Sequence, residues 1–305
     1  MGTVLEIDAA GGLAESSLEA AVESAFLAIG RVEGRLSNWR PDSELSRANR
    51  CAGGGPFSLS AATAESLSAA LGLAEETGGT FDPTVGVITM RGVSLPVTGE
   101  PERGFRSGTP EIGYRHARLD RFRLTLAFDS PGLSIDSGAF GKGEGLDAAE
   151  AVLRHAGVES ARLNFGGQIL VFGSSTAAGR RYARAAIAFP DASGRLVSRV
   201  LLPDGSLSTS GDAEKPGHLI DPRTGRTAAF HGSATAFAPS GFRADALSTA
   251  LFVMGPGEGI EFADVRQIPV LYVEASGARH ASRAWRHLAS WVDSTRPADP
   301  GRRSE

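Results

Sequence analysis

The sequence predicts a mixed α/β (α+β) fold of largely antiparallel sheets packed by helices. Leu18, Val22, Ala25, Phe26, Ile29, Val32 and Leu36 recur at helical spacing, the mark of one long amphipathic helix. Residues 181–188 and 196–202 flank Asp191-Ala-Ser-Gly194 as a hairpin pair, and residues 161–172 alternate as a strand broken by Gly166-Gly167. No internal repeat and no Ser-rich linker interrupts the chain. One unit over residues 1–293 is therefore expected, with an irregular insertion near 90–110 and a disordered tail at 294–305.

The elements follow in order. Residues 3–7 alternate as a strand and end at Ala9-Ala-Gly-Gly12. Ser16-Ser-Leu-Glu19 has the form of a capping box, and the helix it opens runs to about Leu36. Residues 37–49 are polar and broken by Pro41. A second helix spans 60–77, with Leu67, Leu71 and Ala74 inward and Gly78-Gly79 as its stop. Strand-like runs cover 121–127 and 132–135. After a glycine turn, a helix presents Leu146, Ala149, Val152 and Leu153 and stops at Gly157. Residues 208–212 and 217–225 are polar and turn-rich, 232–238 reads as a strand, 243–254 as a helix ending at Gly255, and 268–274 as a late strand.

Composition narrows the function classes. A chain of 305 residues can bury a large core, and 41% hydrophobic with 22% charged residues is ordinary for a globular protein. A formal net charge of −4 gives no electrostatic reason to expect nucleic acid or an anionic membrane as partner. Cys51 is the one cysteine, so no internal disulfide can form. No run approaches the apolar length of a membrane span, and the first residues lack a secretory signal. As written the chain is expected to be cytoplasmic, or exported if its true start lies upstream.

The densest chemistry lies at Leu133-Ser-Ile-Asp-Ser-Gly-Ala-Phe-Gly-Lys-Gly-Glu-Gly-Leu-Asp147: an apolar strand, a glycine-rich turn, then a helix. Asp136 and Lys142 stand on either side of the turn, and a helix N-terminus opening from such a turn suits phosphate. It is not a Walker A loop, because Asp136 stands where its first glycine is needed and Gly143 where Ser or Thr follows the lysine. Four other blocks carry functional and structural readings side by side. In Trp39-Arg-Pro-Asp-Ser-Glu-Leu-Ser46, Asp42 is placed to cap the next turn. In Gly78-Gly-Thr-Phe-Asp-Pro-Thr84, the carboxylate of Asp82 either points away from the chain or serves a turn. Ser210-Gly-Asp212 with His218-Leu-Ile-Asp-Pro-Arg-Thr-Gly225 gathers a histidine, hydroxyls, carboxylates and Arg223, enough for a general base and an anion clamp or for a hydrogen-bonded surface turn. The other histidines sit in no comparable setting. Asp245 and Thr249 share one helix face, as ligands of a hard cation or as a cap and a back-bonding hydroxyl.

Taken in this order, these blocks, with Met1-Gly-Thr3, Asn164-Phe-Gly-Gly167 and Ala244-Asp-Ala-Leu-Ser-Thr249, resemble the ApbE family of FAD:protein FMN transferases over most of the chain. The resemblance implies an enzyme that binds FAD with Mg²⁺ and moves the FMN half onto a Thr or Ser of an acceptor protein, releasing AMP. It implies an active site in a cleft between two halves. The metal ligands would be Asp245, Thr249 and the backbone carbonyl of Ala139. The flavin-contacting positions would be Leu36, Thr80, Phe81, Asp82, Asp136, Lys142 and the backbone near Leu219. The family histidine falls on His218, which would take the proton of the attacking hydroxyl with help from Asp212. The chain departs from the family pattern at Leu36, Phe140, Gly141 and Gln168, and its link from Asp212 to His218 is short. An FAD pyrophosphatase and a flavin carrier without turnover use the same residues.

Overall fold

The computed structural model describes residues 3–89, 112–173, 175–176, 179–180, 183–188, 196–212 and 217–290. In chain order the elements are β1 (Leu5–Ala10), α1 (Glu15–Leu36), α2 (Glu44–Arg50), β2 (Phe57–Ser58), α3 (Ala61–Glu76), α4 (Gly86–Thr89), β3 (Ala117–Asp120), β4 (Thr125–Phe128) and α5 (Gly141–His155). There follow β5 (Ser160–Phe165), β6 (Gln168–Phe172), β7 (Ser175–Thr176), β8 (Gly179–Arg180), β9 (Ala183–Ala188), β10 (Leu196–Leu202), β11 (Gly205–Gly211), β12 (Ile220–Asp221) and β13 (Arg226–Thr227). The last are β14 (Gly232–Ala238), α6 (Gly241–Arg266), β15 (Val270–Glu274), β16 (Arg279–Ala281) and β17 (Ala289–Ser290). The expected insertion at 90–110, the turn at 191–194 and the tail at 294–305 lie outside the described residues.

The backbone of the fold is a 7-stranded sheet in the order β1-β5-β6-β11-β14-β15-β16. Each neighbouring pair is antiparallel, as the sequence predicted. Gly166 and Gly167, at φ 57° and 86°, make the two-residue turn from β5 to β6. That turn type needs positive φ at both positions, which glycine adopts freely.

Both faces of this sheet are covered. On one face Leu163, Phe165, Leu170 and Phe172 meet Leu146, Ala149 and Leu153 of α5 and Ala21, Ala25 and Ile29 of α1. On the other, Val171, Leu207, Leu271 and Val273 meet Val200 and Leu202 of β10 and Trp285. Successive strand residues point to opposite faces, so Leu170 and Val171 enter different cores. A third cluster joins the end of α1 with α2, α3, the glycine turn and α6 through residues such as Leu36, Leu67, Leu133, Phe140 and Leu251. This helical half and the sheet meet where α5 and α6 begin.

Several local expectations are corrected. The capping box at Ser16 does not open α1; the helix begins earlier, its N-cap is Ala14, and no side chain caps it. Ser43 rather than Asp42 caps α2, accepting the Ser46 N–H, while Asp42 pairs with Arg40. Residues 121–124 form the turn between β3 and β4 instead of a strand. Residues 132–135 are not a strand either, apart from one bridge between Ser134 and Val85. The helix expected to stop at Gly255 only kinks there (φ 70°, ψ 174°) and continues through Pro256. Proline removes the helical bond to Phe252 and clashes one turn back. The buried Tyr272 hydroxyl donates to the Leu251 carbonyl at 2.7 Å beside this break. No helix among the described residues is long and apolar enough to cross a membrane.

Candidate functional site

The glycine turn is held by side chains where a sheet would use backbone partners. Asn49 brackets Ile135, donating to its carbonyl and accepting its N–H, each at 2.9 Å. Asn38 donates to the same carbonyl at 2.7 Å and accepts the Ser137 N–H at 2.9 Å. The Ser137 hydroxyl donates to the Leu36 carbonyl at 2.6 Å. Because these amides satisfy the buried backbone, residues 132–135 need no neighbouring strand. Asp136 accepts the Gly138 N–H at 2.8 Å and the Thr89 hydroxyl at 2.5 Å.

The turn delivers the chain into α5, which crosses α6 with the backbones touching at Gly143 and Gly241; a side chain at Gly143 would collide with the Gly241 carbonyl. This crossing places Asp245 at the start of α5. Its carboxylate, 4% exposed, accepts the Gly143 N–H at 3.1 Å and pairs with Lys142 Nζ at 3.1 Å. Ser208 donates to it from β11 at 3.3 Å. One turn along α6, the Thr249 hydroxyl lies 3.2 Å from that of Ser210 and back-bonds to the Asp245 carbonyl at 3.4 Å. Asp147 completes the crossing by accepting the Gly241 N–H at 2.5 Å and the Phe242 N–H at 2.9 Å. Burial pushes the Asp147 carboxyl up to about 6, with Glu144 and Glu150 adding to the rise and the two backbone bonds opposing it.

Lys142, Asp245 and Thr249, distant in sequence, thus converge. Leu36, Thr80, Phe81 and Asp82 are all buried. Thr80 donates to the Thr77 carbonyl, and Phe81 packs edge-on against Phe140 at 6.4 Å. Asp82 accepts Thr84 and Tyr114 N–H groups at 2.8 and 2.7 Å, the turn role of its two readings. Burial raises its pKa against those bonds. His218 is exposed, and the neighbouring Leu219 carbonyl accepts the Ala228 N–H at 2.8 Å. Arg223 is tied to Asp221 and Glu258, which directs its guanidinium away from the clamp role.

The statement that no other histidine has a comparable setting is corrected: His231 Nδ1 lies 2.8 Å from Asp212 Oδ2, whose other oxygen accepts the Gly232 N–H. The sequence reading also passed over Ser208, Ser248, Asn38, Asn49 and Asp147. Ser208 and Ser210 carried a usable signal, since alternate residues of a strand face one way. Trp39, 84% exposed, lines a groove of about 570 Å³ with Asn38, Pro41, Asn49, Arg50 and Ser134. The groove borders the glycine turn through Asn38, and Asp245 does not line it.

The donor set at Asp245 and Thr249 is all oxygen, the chemistry of a hard cation such as Mg²⁺. Among the described residues no three His, Cys, Asp or Glu side chains gather as a metal site. A cation at Asp245 would thus draw most of its shell from hydroxyl, carbonyl and ligand oxygens. The residues fit such an ion.

Comparison with known proteins points the same way. The chain is 32% identical to the FAD:protein FMN transferase of Vibrio cholerae over 256 residues, covering 79% of this chain and 75% of that protein. It is 30% identical to the one from Haemophilus influenzae, with 79% and 75% covered. Among solved structures, the flavin transferase ApbE of Vibrio cholerae aligns with a TM-score of 0.77 at 29% identity, covering 94% of this chain and 96% of the other. The apo flavinyl transferase ApbE of Pseudomonas stutzeri aligns with a TM-score of 0.78 at 25% identity, covering 94% of each. The family model described as ApbE matches residues 1–272, and with the fold and the relatives agreeing, this chain belongs to the ApbE family.

Proposed function

We propose that the chain is an FAD:protein FMN transferase that moves the FMN half of FAD to a Thr or Ser hydroxyl of an acceptor protein and releases AMP. The observation that carries the reading is the meeting of Lys142, Asp245 and Thr249 at the N-terminus of α5, in a chain whose relatives bear that name. A helix start with an ammonium group suits a diphosphate. An adjacent carboxylate and hydroxyl suit the divalent cation that a diphosphate brings.

The acceptor oxygen would attack the phosphorus on the riboflavin side, forming a new P–O bond as the anhydride bond to AMP breaks. Asp245, Thr249 and the Ala139 carbonyl would hold Mg²⁺, which when bound offsets charge on the phosphate oxygens. Lys142 would place a point charge on the diphosphate. His218 would take the proton of the attacking hydroxyl, since its exposure leaves it open to an incoming protein. The exposed Trp39 offers its groove a face on which a planar ring of FAD can stack.

Incubating the protein with FAD and Mg²⁺, with and without a Thr-containing acceptor peptide, tests this by mass spectrometry. An acceptor heavier by an FMN phosphoester, with AMP released and both lost under EDTA, is expected. FMN and AMP without a modified acceptor would replace the transferase by a pyrophosphatase. Intact bound FAD would leave a carrier.

A further inference from the structure

We infer that Lys142 is an internal counter-ion that occupies the cation position on Asp245, so that a divalent ion binds this site only when an anionic ligand draws the lysine away. The inference rests on the assignment of Asp245 as a cation ligand made above. The Lys142 ammonium sits astride the carboxylate, 3.1 Å from Oδ1 and 3.4 Å from Oδ2. A cation held by the same oxygens would lie beside it, and two positive charges at that separation repel strongly where water is scarce. Asp245 is deeply buried, with its side chain only 4% exposed. Lys142 is 30% exposed, so its flexible stem can swing toward solvent while the carboxylate cannot.

The remaining contacts show how the site outlasts the exchange. Gly143 N–H and the Ser208 hydroxyl donate to Asp245 from the helix start and from β11. Both stay in place when the lysine leaves, so the carboxylate keeps its orientation toward an incoming ion. Lys142 is the second residue of α5, at the end of the helix that attracts anions. A diphosphate arriving there gains an ammonium partner and frees Asp245 in one movement. Ligand and metal then favour each other by linkage, each raising the affinity for the other by the same factor. A free divalent ion without a phosphate ligand is held poorly, so the bare site resists adventitious metals.

The test is titration of the nucleotide-free protein with Mn²⁺ alone, followed by electron paramagnetic resonance of the free ion. The proteins are wild type, Lys142→Met, Asp245→Asn and the double variant. Lys142→Gln serves as a second replacement, and circular dichroism checks folding. Lys142→Met and Lys142→Gln are expected to bind Mn²⁺ on the order of tenfold tighter than wild type or more. The double variant is expected to lose that gain. Equal or weaker Mn²⁺ binding in both lysine variants would overturn the inference. A gain that survives in the double variant would instead overturn Asp245 as the ligand, a separate failure. A lysine that merely supported the fold would not raise metal affinity when removed.

Discussion

Asp147 and Asp245 cap each other's helices: Asp147 of α5 accepts the Gly241 and Phe242 N–H groups that open α6, and Asp245 of α6 accepts the Gly143 N–H in the first turn of α5. Each carboxylate satisfies donors that a helix start leaves without partners and meets the positive end of the other's dipole. Because Gly143 and Gly241 let the backbones touch, the two starts are fixed as one unit. The proposed metal ligand is therefore held by the fold before any ligand arrives.

Asp147 should give this crossing a pH dependence. Its folded pKa of about 6 lies above the ordinary 3.8, so the folded state holds a proton more tightly than the unfolded chain. The resulting stabilisation is complete below about 3.8 and is lost as pH rises through about 6, a change of at most about 3 kcal/mol. Asp147→Asn should flatten that part of the stability profile in urea unfolding between pH 4.5 and 7.5. An identical slope in the variant would remove Asp147 as its source.

Asp245→Ala should abolish FAD turnover, by about a hundredfold or more, while the protein stays folded. Removing the carboxylate leaves the Gly143 N–H unpaired, which should cost about 1–3 kcal/mol in denaturant unfolding. Turnover within a few-fold of wild type would sink the assignment.

Tyr272→Phe tests the kink at Gly255. The hydroxyl is the printed partner of the Leu251 carbonyl, and both lie in the core. Its loss should lower stability by about 1–2 kcal/mol in chemical denaturation. A change below about 0.5 kcal/mol would mean that the kink stands without it.

Trp39→Ala should weaken FAD by about tenfold, with unfolding stability unchanged, because the ring is exposed and packs on nothing the fold needs. Isothermal titration with FAD reads the affinity. Unchanged binding would detach the groove from the flavin reading.

Periodicity revealed the elements whose burial is one-sided. α1 repeats its apolar residues on one face, and Ala25, Ile29, Val32 and Leu36 are all buried where that pattern put them. The Gly166-Gly167 turn was visible because only glycine takes both angles readily. Residues 132–135 misled because an apolar run signals burial, and burial here is in a turn clamped by Asn38 and Asn49. The second half of α6 was missed because Gly255-Pro256 is a stop signal locally, and packing around Tyr272 carries the helix through it.

By itself the sequence determined the antiparallel α+β class, the ordered blocks of the ApbE family, and the placing of Asp245 and Thr249 on one helix face. Those properties are local, since they depend on spacing within a single element or on the order of short motifs along the chain. Only the tertiary structure decided that Lys142 pairs with Asp245, that Ser208 steadies that carboxylate, and that Asp212 lies against His231. Each of those contacts joins elements far apart in sequence. Their partners are chosen by how α5, α6 and β11 pack, and no periodicity within one element encodes that choice.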